Sequence, residues 1–216
     1  MPIPVFAGIA LAALAALLLG ARACRDIRLE LPEQAEKPNR RVFLLAAGLS
    51  ALVSALYLAA YFPGGFSSDT VYQWRQITGA MPYSDWHPAL HTLMMAALLK
   101  LVDHPAFVLA VQELCYALAI GYTADVLTRW RVPKGLVAVL TAYLCLNPAI
   151  SNIMPFPWKD CTFAIAALFL GAQLLDVHFS QGETLSPVRC LALGVTLSPL
   201  WNINTEESYH EDKDEK

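Results

Sequence analysis

Between Pro63 and Pro88 the chain carries two carboxylates (Asp69, Asp85), an imidazole (His87), a guanidinium (Arg75), the amides of Gln73 and Gln76, and the aromatic faces of Tyr72, Trp74, Tyr83 and Trp86. Carboxylates and an imidazole can move protons. Amides and a phenol can hydrogen-bond hydroxyl groups, rings can stack on a flat substrate face, and a guanidinium can neutralise a phosphate. Together these groups suit a polyhydroxylated substrate. A second cluster, Trp158-Lys159-Asp160, adds another cation and another carboxylate. Each residue also has an ordinary explanation. An acid near a helix start is favoured by the macrodipole, Trp86 and His87 can rest at a membrane interface, and Lys159 and Arg75 can be plain surface charges. Asp85 and His87 alone are too few ligands to define a metal site. No metal site is therefore assigned, and the use of a divalent cation stays open.

Local signals indicate how these side chains are held. Pro63-Gly64-Gly65 marks a turn, and the serines after it can cap a helix. A helix starting at Ser68 puts Asp69, Tyr72, Gln73 and Gln76 on one side. Pro88 suits the first turn of a following helix, for which Asp85 can serve as cap.

The elements around these clusters are apolar. Of the 216 residues, 56% are hydrophobic and only 15% charged, against about 25% charged in an ordinary soluble domain. The runs Ile3–Gly20, Val42–Phe62, Ala106–Thr128, Gly135–Ile153 and Cys161–Val177 approach the roughly 20 residues needed to cross a bilayer. The expected fold is therefore all-α and polytopic, with about five transmembrane helices. Asn147-Pro148 should interrupt the fourth run. Glu113 and Asp125 fall inside the third, where an ionisable group points to function, although Asp125 near the run's end reads as solvated. The five cysteines show neither disulfide nor zinc spacing.

Basic loops mark the cytoplasmic side. Ala21–Arg41 holds six basic residues and Arg129–Lys134 three, so both are expected inside, with 63–88 and 155–160 outside. This requires the short run Ala89–Val102 not to cross. Its Thr92, Lys100 and Asp103 fall at helical spacing opposite a Leu/Met face, as in an amphipathic outer juxtamembrane helix over 89–104. His91 on it reads as structural. The run from Cys190 to Trp201 is too short to span. Residues 1–201 are thus expected to form a single transmembrane domain, and 202–216, with six acids in its last twelve residues, a disordered tail.

PGGFSSDTVYQWRQ, SDWHPALHT and FPWKD resemble a family of bacterial multi-pass proteins of the GT-C glycosyltransferase superfamily, which includes protein mannosyltransferase and aminoarabinose transferase types. The resemblance covers roughly residues 42–178. It implies a polyprenyl-phosphate-linked sugar donor and an inverting transfer on the outer face of the plasma membrane. Asp69 matches the acidic position of the first outer loop, Trp86-His87-Pro88 a short motif before a juxtamembrane helix, and Asp160 a second acidic position. In this picture Asp69 activates the acceptor hydroxyl, with His87 and Asp85 assisting. Tyr72, Gln73, Arg75, Gln76, Trp86, Lys159 and Asp160 bind donor and acceptor, Arg75 and Lys159 facing the phosphate. Asp69 lacks the DxD-like partner of the family, and such proteins have more spans, so the chain reads as a partial, truncated copy of the fold. The alternatives are a catalytically inactive membrane scaffold subunit and, third, a small transporter, which would carry broken helices with charges at mid-membrane. The expected partners are the lipid bilayer, the lipid-linked donor and another membrane protein, with no nucleic acid.

Overall fold

The computed structural model describes residues 35–84, 89–183 and 185–197. Every regular element among them is a helix: α1 (Arg40–Ala60), α2 (Ser68–Ile77), α3 (Ala89–Leu101), α4 (Pro105–Arg129), α5 (Lys134–Leu146), α6 (Pro148–Ile153), α7 (Lys159–Phe179) and α8 (Pro187–Leu197). α1, α4, the α5–α6 pair and α7 are long and apolar enough to cross a membrane. These four coincide with the second to fifth expected runs. The first, Ile3–Gly20, and the acidic tail 202–216 lie outside the described residues. The chain has the fold of a helical, multi-pass membrane protein.

Local chemistry sets the helix ends. Asn39 caps α1, its Oδ1 accepting from Val42 N at 3.3 Å. His104 caps α4 through Nδ1, with Pro105 in the first turn, where proline's missing N–H costs no hydrogen bond. Asn147 stays extended, ends α5 and caps α6 ahead of Pro148, which accounts for the interruption expected there.

α4 is the central helix. Half of its apolar stretch is buried, against 17% of α1's and 22% of α7's. It packs on α1 through small residues: Ala46, Ser50 and Ser54 are buried on α1, and Ala117, Gly121 and Ala124 on α4. At Gly121 a Cβ would come within 2.9 Å of both the Phe43 carbonyl oxygen and the Ala47 Cβ, so the helices are as close as a missing side chain permits. Close backbone approach of this kind drives helix association in lipid, where apolar burial gains little. The outer faces agree with lipid as solvent: Leu45, Leu52 and Leu56 of α1, and Val139 and Tyr143 of α5, are at least 60% exposed.

α3 differs from the amphipathic surface helix expected. It is 13 residues long and buries His91, Thr92 and Met95 together, while Leu93 and Met94 are exposed. Asp103 lies beyond its end. The expected polar face does not hold together: Thr92 is buried with Met95, while Lys100 is exposed. Thr92 faces inward because Gln73 of α2 supplies a hydrogen-bonding partner there, so the polar side need not seek water.

Candidate functional site

The polar stretch after α1 begins at a turn only glycine can make. Gly64 has φ +134° and a Cβ there would run into Leu109, while one at Gly65 would meet the Phe156 ring. This close seating brings the chain against a second loop. Gly65 N donates to Pro155 O at 2.9 Å, Thr70 Oγ1 makes a long, 3.5 Å bond to Pro157 O, and Tyr61 Oη donates to Asn152 Oδ1 at 2.9 Å. Gln112, on the central helix, secures the same loop by donating from Nε2 to the carbonyls of Met154 and Phe156 at 2.9 and 3.0 Å. The loops that follow α1 and α6 therefore meet at one end of the bundle.

α2 opens as expected at Ser68. Ser67 caps it, accepting from Thr70 N at 3.2 Å. Asp69 occupies its first turn, half-buried, and Arg75 its last turn, exposed. Gln73 is buried, with Nε2 donating to Thr92 Oγ1 at 2.9 Å and lying 3.2 Å from His91 Nδ1. Gln76 is buried too. Its Nε2 donates to Ser84 Oγ at 3.0 Å, while its Oε1 has no hydrogen-bond partner among the described residues. Tyr72 Oη lies 3.1 Å from the same Ser84 Oγ. Three of the side chains expected to bind substrate thus hold α2 against its surroundings.

Lys159 and Asp160 open α7. Asp160 is exposed in the first turn, and Trp158 before it supplies no side-chain cap. Asp69 is one residue from Thr70, and Lys159 two residues from Pro157, so the long Thr70–Pro157 bond brings the two clusters, some ninety residues apart in the chain, to the same end. Asp69 and Asp160 share a setting, each an acid in the first turn of a helix where the exposed N–H groups favour negative charge. Asp85, Trp86 and His87 lie outside the described residues. Among the described residues no three His, Cys, Asp or Glu side chains are grouped as a metal site would need.

Glu113, singled out in the sequence as an ionisable group inside a span, is buried in α4, and its Oε1 has no hydrogen-bond partner among the described residues. Asp125, expected to be wet, is buried at the opposite end of α4 in a charged network. Arg129 Nε meets Asp125 Oδ2 at 3.1 Å and Arg129 Nη1 meets Asp176 Oδ1 at 3.0 Å. Trp130 Nε1 donates to the same Asp176 oxygen at 3.0 Å, and Arg189 Nη1 meets Asp176 Oδ2 at 2.6 Å. Asn39 N donates to Asp125 Oδ1 at 2.6 Å. The local half of this network, Asp125 and Arg129 four residues apart, could have been found from helix spacing. Asp176, 47 residues further on, could not.

Fold and site together define a multi-pass helical membrane protein with a polar loop assembly at one end and a buried ion network at the other. No protein-family model, no curated protein and no solved structure matches the chain.

Proposed function

We propose that the protein is a glycosyltransferase of the polyprenyl-phosphate-sugar-dependent, inverting kind, working at the loop end, with that end on the extracytoplasmic side of the plasma membrane. The observation that supports this is the docking of the loop after α1 on the loop after α6, through Gly65 N to Pro155 O and Gln112 to Met154 and Phe156. It gathers Asp69, Arg75, Lys159 and Asp160 at one end of a bundle whose middle is apolar. In the proposed step Asp69 takes the proton of an acceptor hydroxyl. The acceptor oxygen then bonds to the anomeric carbon, and the bond from that carbon to the phosphate oxygen breaks. Polyprenyl phosphate departs with both electrons of that bond, and Arg75 and Lys159 offset its charge. Asp160 orients the acceptor or the sugar.

The test uses the full chain in proteoliposomes with a panel of radiolabelled polyprenyl-phosphate hexoses and pentoses, scoring release of free polyprenyl phosphate. Release should depend on the protein, and Asp69→Asn should lower it by ~100-fold or more, the usual effect of losing a general base. Unchanged release in Asp69→Asn, or no release from any donor, rejects the reading. Sidedness is checked in a background without native cysteines. Ser68→Cys and Asp160→Cys should react with an impermeant thiol reagent added to whole cells, and Lys134→Cys should not.

A second reading, a non-catalytic membrane scaffold, is favoured by one specific observation. Tyr72, Gln73 and Gln76 are engaged with Ser84, Thr92 and His91 as struts would be. Loss of folding, rather than of transfer, on changing those three would favour it.

A further inference from the structure

A second concave feature lies at the opposite end, away from the loops. An apolar groove of about 280 Å³ runs between the first turns of α1, the last turns of α4 and the first turns of α5. That is close to the lower end of the roughly 300–1,000 Å³ range of small-molecule sites. Leu45, Leu49, Ala124, Val137 and Ala138 line it, and Lys134 stands at its mouth. Leu45 is 75% exposed, so the groove opens sideways to whatever surrounds the bundle, which for a spanning helix is lipid.

The exposed charge beside the mouth is basic, while the acid next to the groove residue Ala124, Asp125, is buried and already paired with Arg129. Lys134 is exposed at the first position of α5, and Arg40 and Arg41 are exposed at the first two positions of α1, next to the groove residue Val42. Neither helix has an acid in its first turn. Cations at a helix N-terminus work against the macrodipole; a cytoplasmic placement favours basic residues here, and an anion seated beside them would offset their charge. α5 begins without a side-chain cap. An apolar slot with a cationic lip is complementary to an acyl chain joined to a phosphate.

From this we infer that the groove binds one anionic phospholipid, an acyl chain lying along α1 and α5 and the headgroup phosphate held by Lys134 with Arg40 and Arg41. Basic pockets between membrane helices recognise anionic headgroups in this manner. The site is independent of the sugar-transfer reading, since it lies at the other end of the bundle.

The test is retention of lipid by the purified full chain in detergent, measured by native mass spectrometry with dioleoyl phosphatidylglycerol or dioleoyl phosphatidylcholine. Wild type should hold one phosphatidylglycerol at least ~5-fold more tightly than phosphatidylcholine. Lys134→Gln should weaken the anionic lipid by ~5-fold, the usual worth of one basic residue near the surface, and leave phosphatidylcholine unchanged. Ala138→Phe, at an exposed position whose new ring occupies the slot, should lower both, with helix content and unfolding temperature as in wild type. Millimolar inorganic phosphate should not displace the lipid. Equal retention of the two lipids by wild type, full retention by Ala138→Phe, or displacement by phosphate overturns the inference. So does a wild-type dimer that Ala138→Phe turns into a monomer, because a second copy would then be the occupant.

Discussion

Asp176 and Asp69 are both aspartates at helix termini, yet the structure treats them in opposite ways. Asp176, near the end of α7, is fully buried and receives Arg129 and Trp130 on one oxygen and Arg189 on the other. Asp69, at the start of α2, is half-buried, and among the described residues its carboxylate accepts a single, 3.4 Å bond, from the neighbouring Ser68. Around Asp176 two carboxylates face two guanidiniums, Asp125 and Asp176 against Arg129 and Arg189, and their hydrogen-bonding capacity is used within the protein. Around Asp69 the amides are engaged while the charged groups stay at the surface. Full pairing inside a bundle marks a device for holding helices together. Charge left at the surface beside buried amides leaves capacity for a ligand. The comparison separates the end that fixes the bundle from the end for which chemistry is proposed.

The largest effect should come from the paired end. Asp176→Ala leaves Arg129 Nη1 and the Trp130 N–H buried without their acceptor and frees α8 from its Arg189 tie. Removing one partner of a buried ion pair costs about 3–5 kcal/mol, so the variant should lose that much in denaturant unfolding followed by circular dichroism. Removing the whole buried charge set is a sharper measurement. With Asp125→Asn and Arg129→Met alongside Asp176→Leu, part of the loss should be recovered, since well-packed neutral replacements of buried ion sets are often tolerated. A single variant that unfolds like wild type would mean that the network does not hold the helices, and the contrast between the ends would fail.

How much of this could be read beforehand follows the range of the interaction concerned. The spans were legible because a long apolar run needs no partner to be recognised; α1, α4, the α5–α6 pair and α7 begin and end within a few residues of expectation. The start of α2 was legible because Ser67 and the Gly64-Gly65 turn act locally. The break at Asn147-Pro148 was legible for the same reason. The direction of α3 was not, because it depends on Gln73 reaching Thr92 and His91 from another helix. The burial of Asp125 was not, because Asp125 and Asp176 meet only through Arg129 once α4 and α7 are packed. At the candidate site, the expectation that Asp69 and Lys159-Asp160 lie at one end came from charge rules for loops. The residue that ties their loops together, Gln112, gave no signal, since a lone glutamine in an apolar run is recognisable only by the carbonyls it meets.

An intermediate effect is expected where the loop end is itself internally bonded. Gln73→Leu keeps the volume of the side chain but removes the donor to Thr92 Oγ1, leaving that hydroxyl buried without it, and the contact with His91 Nδ1. The cost of such orphaned groups is about 1–3 kcal/mol, again by denaturant unfolding. Gln73→Leu combined with Thr92→Val should cost less than the first change alone, because no donor or acceptor of that pair then remains unsatisfied. If the single change is neutral, α3 is not held through Gln73, and the inward direction of His91 and Thr92 needs another cause.

The smallest effect on stability should come from Asp69 itself. Asp69→Asn removes a favourable charge from the first turn of α2, a contribution of about 0.3–1 kcal/mol at an exposed helix end. It breaks no ion pair with another described residue. Its unfolding midpoint should therefore stay close to wild type while sugar release, if the proposed role is correct, falls by orders of magnitude. That disproportion is what distinguishes a reacting group from a helix cap. Asp160→Asn offers the control, being an acid in the same helical position at the start of α7. If the two variants change stability and transfer equally, both acids are doing no more than the macrodipole asks of them. A large loss of transfer confined to Asp69, with stability matched between the two, would assign the base to α2 and leave Asp160 an orienting role.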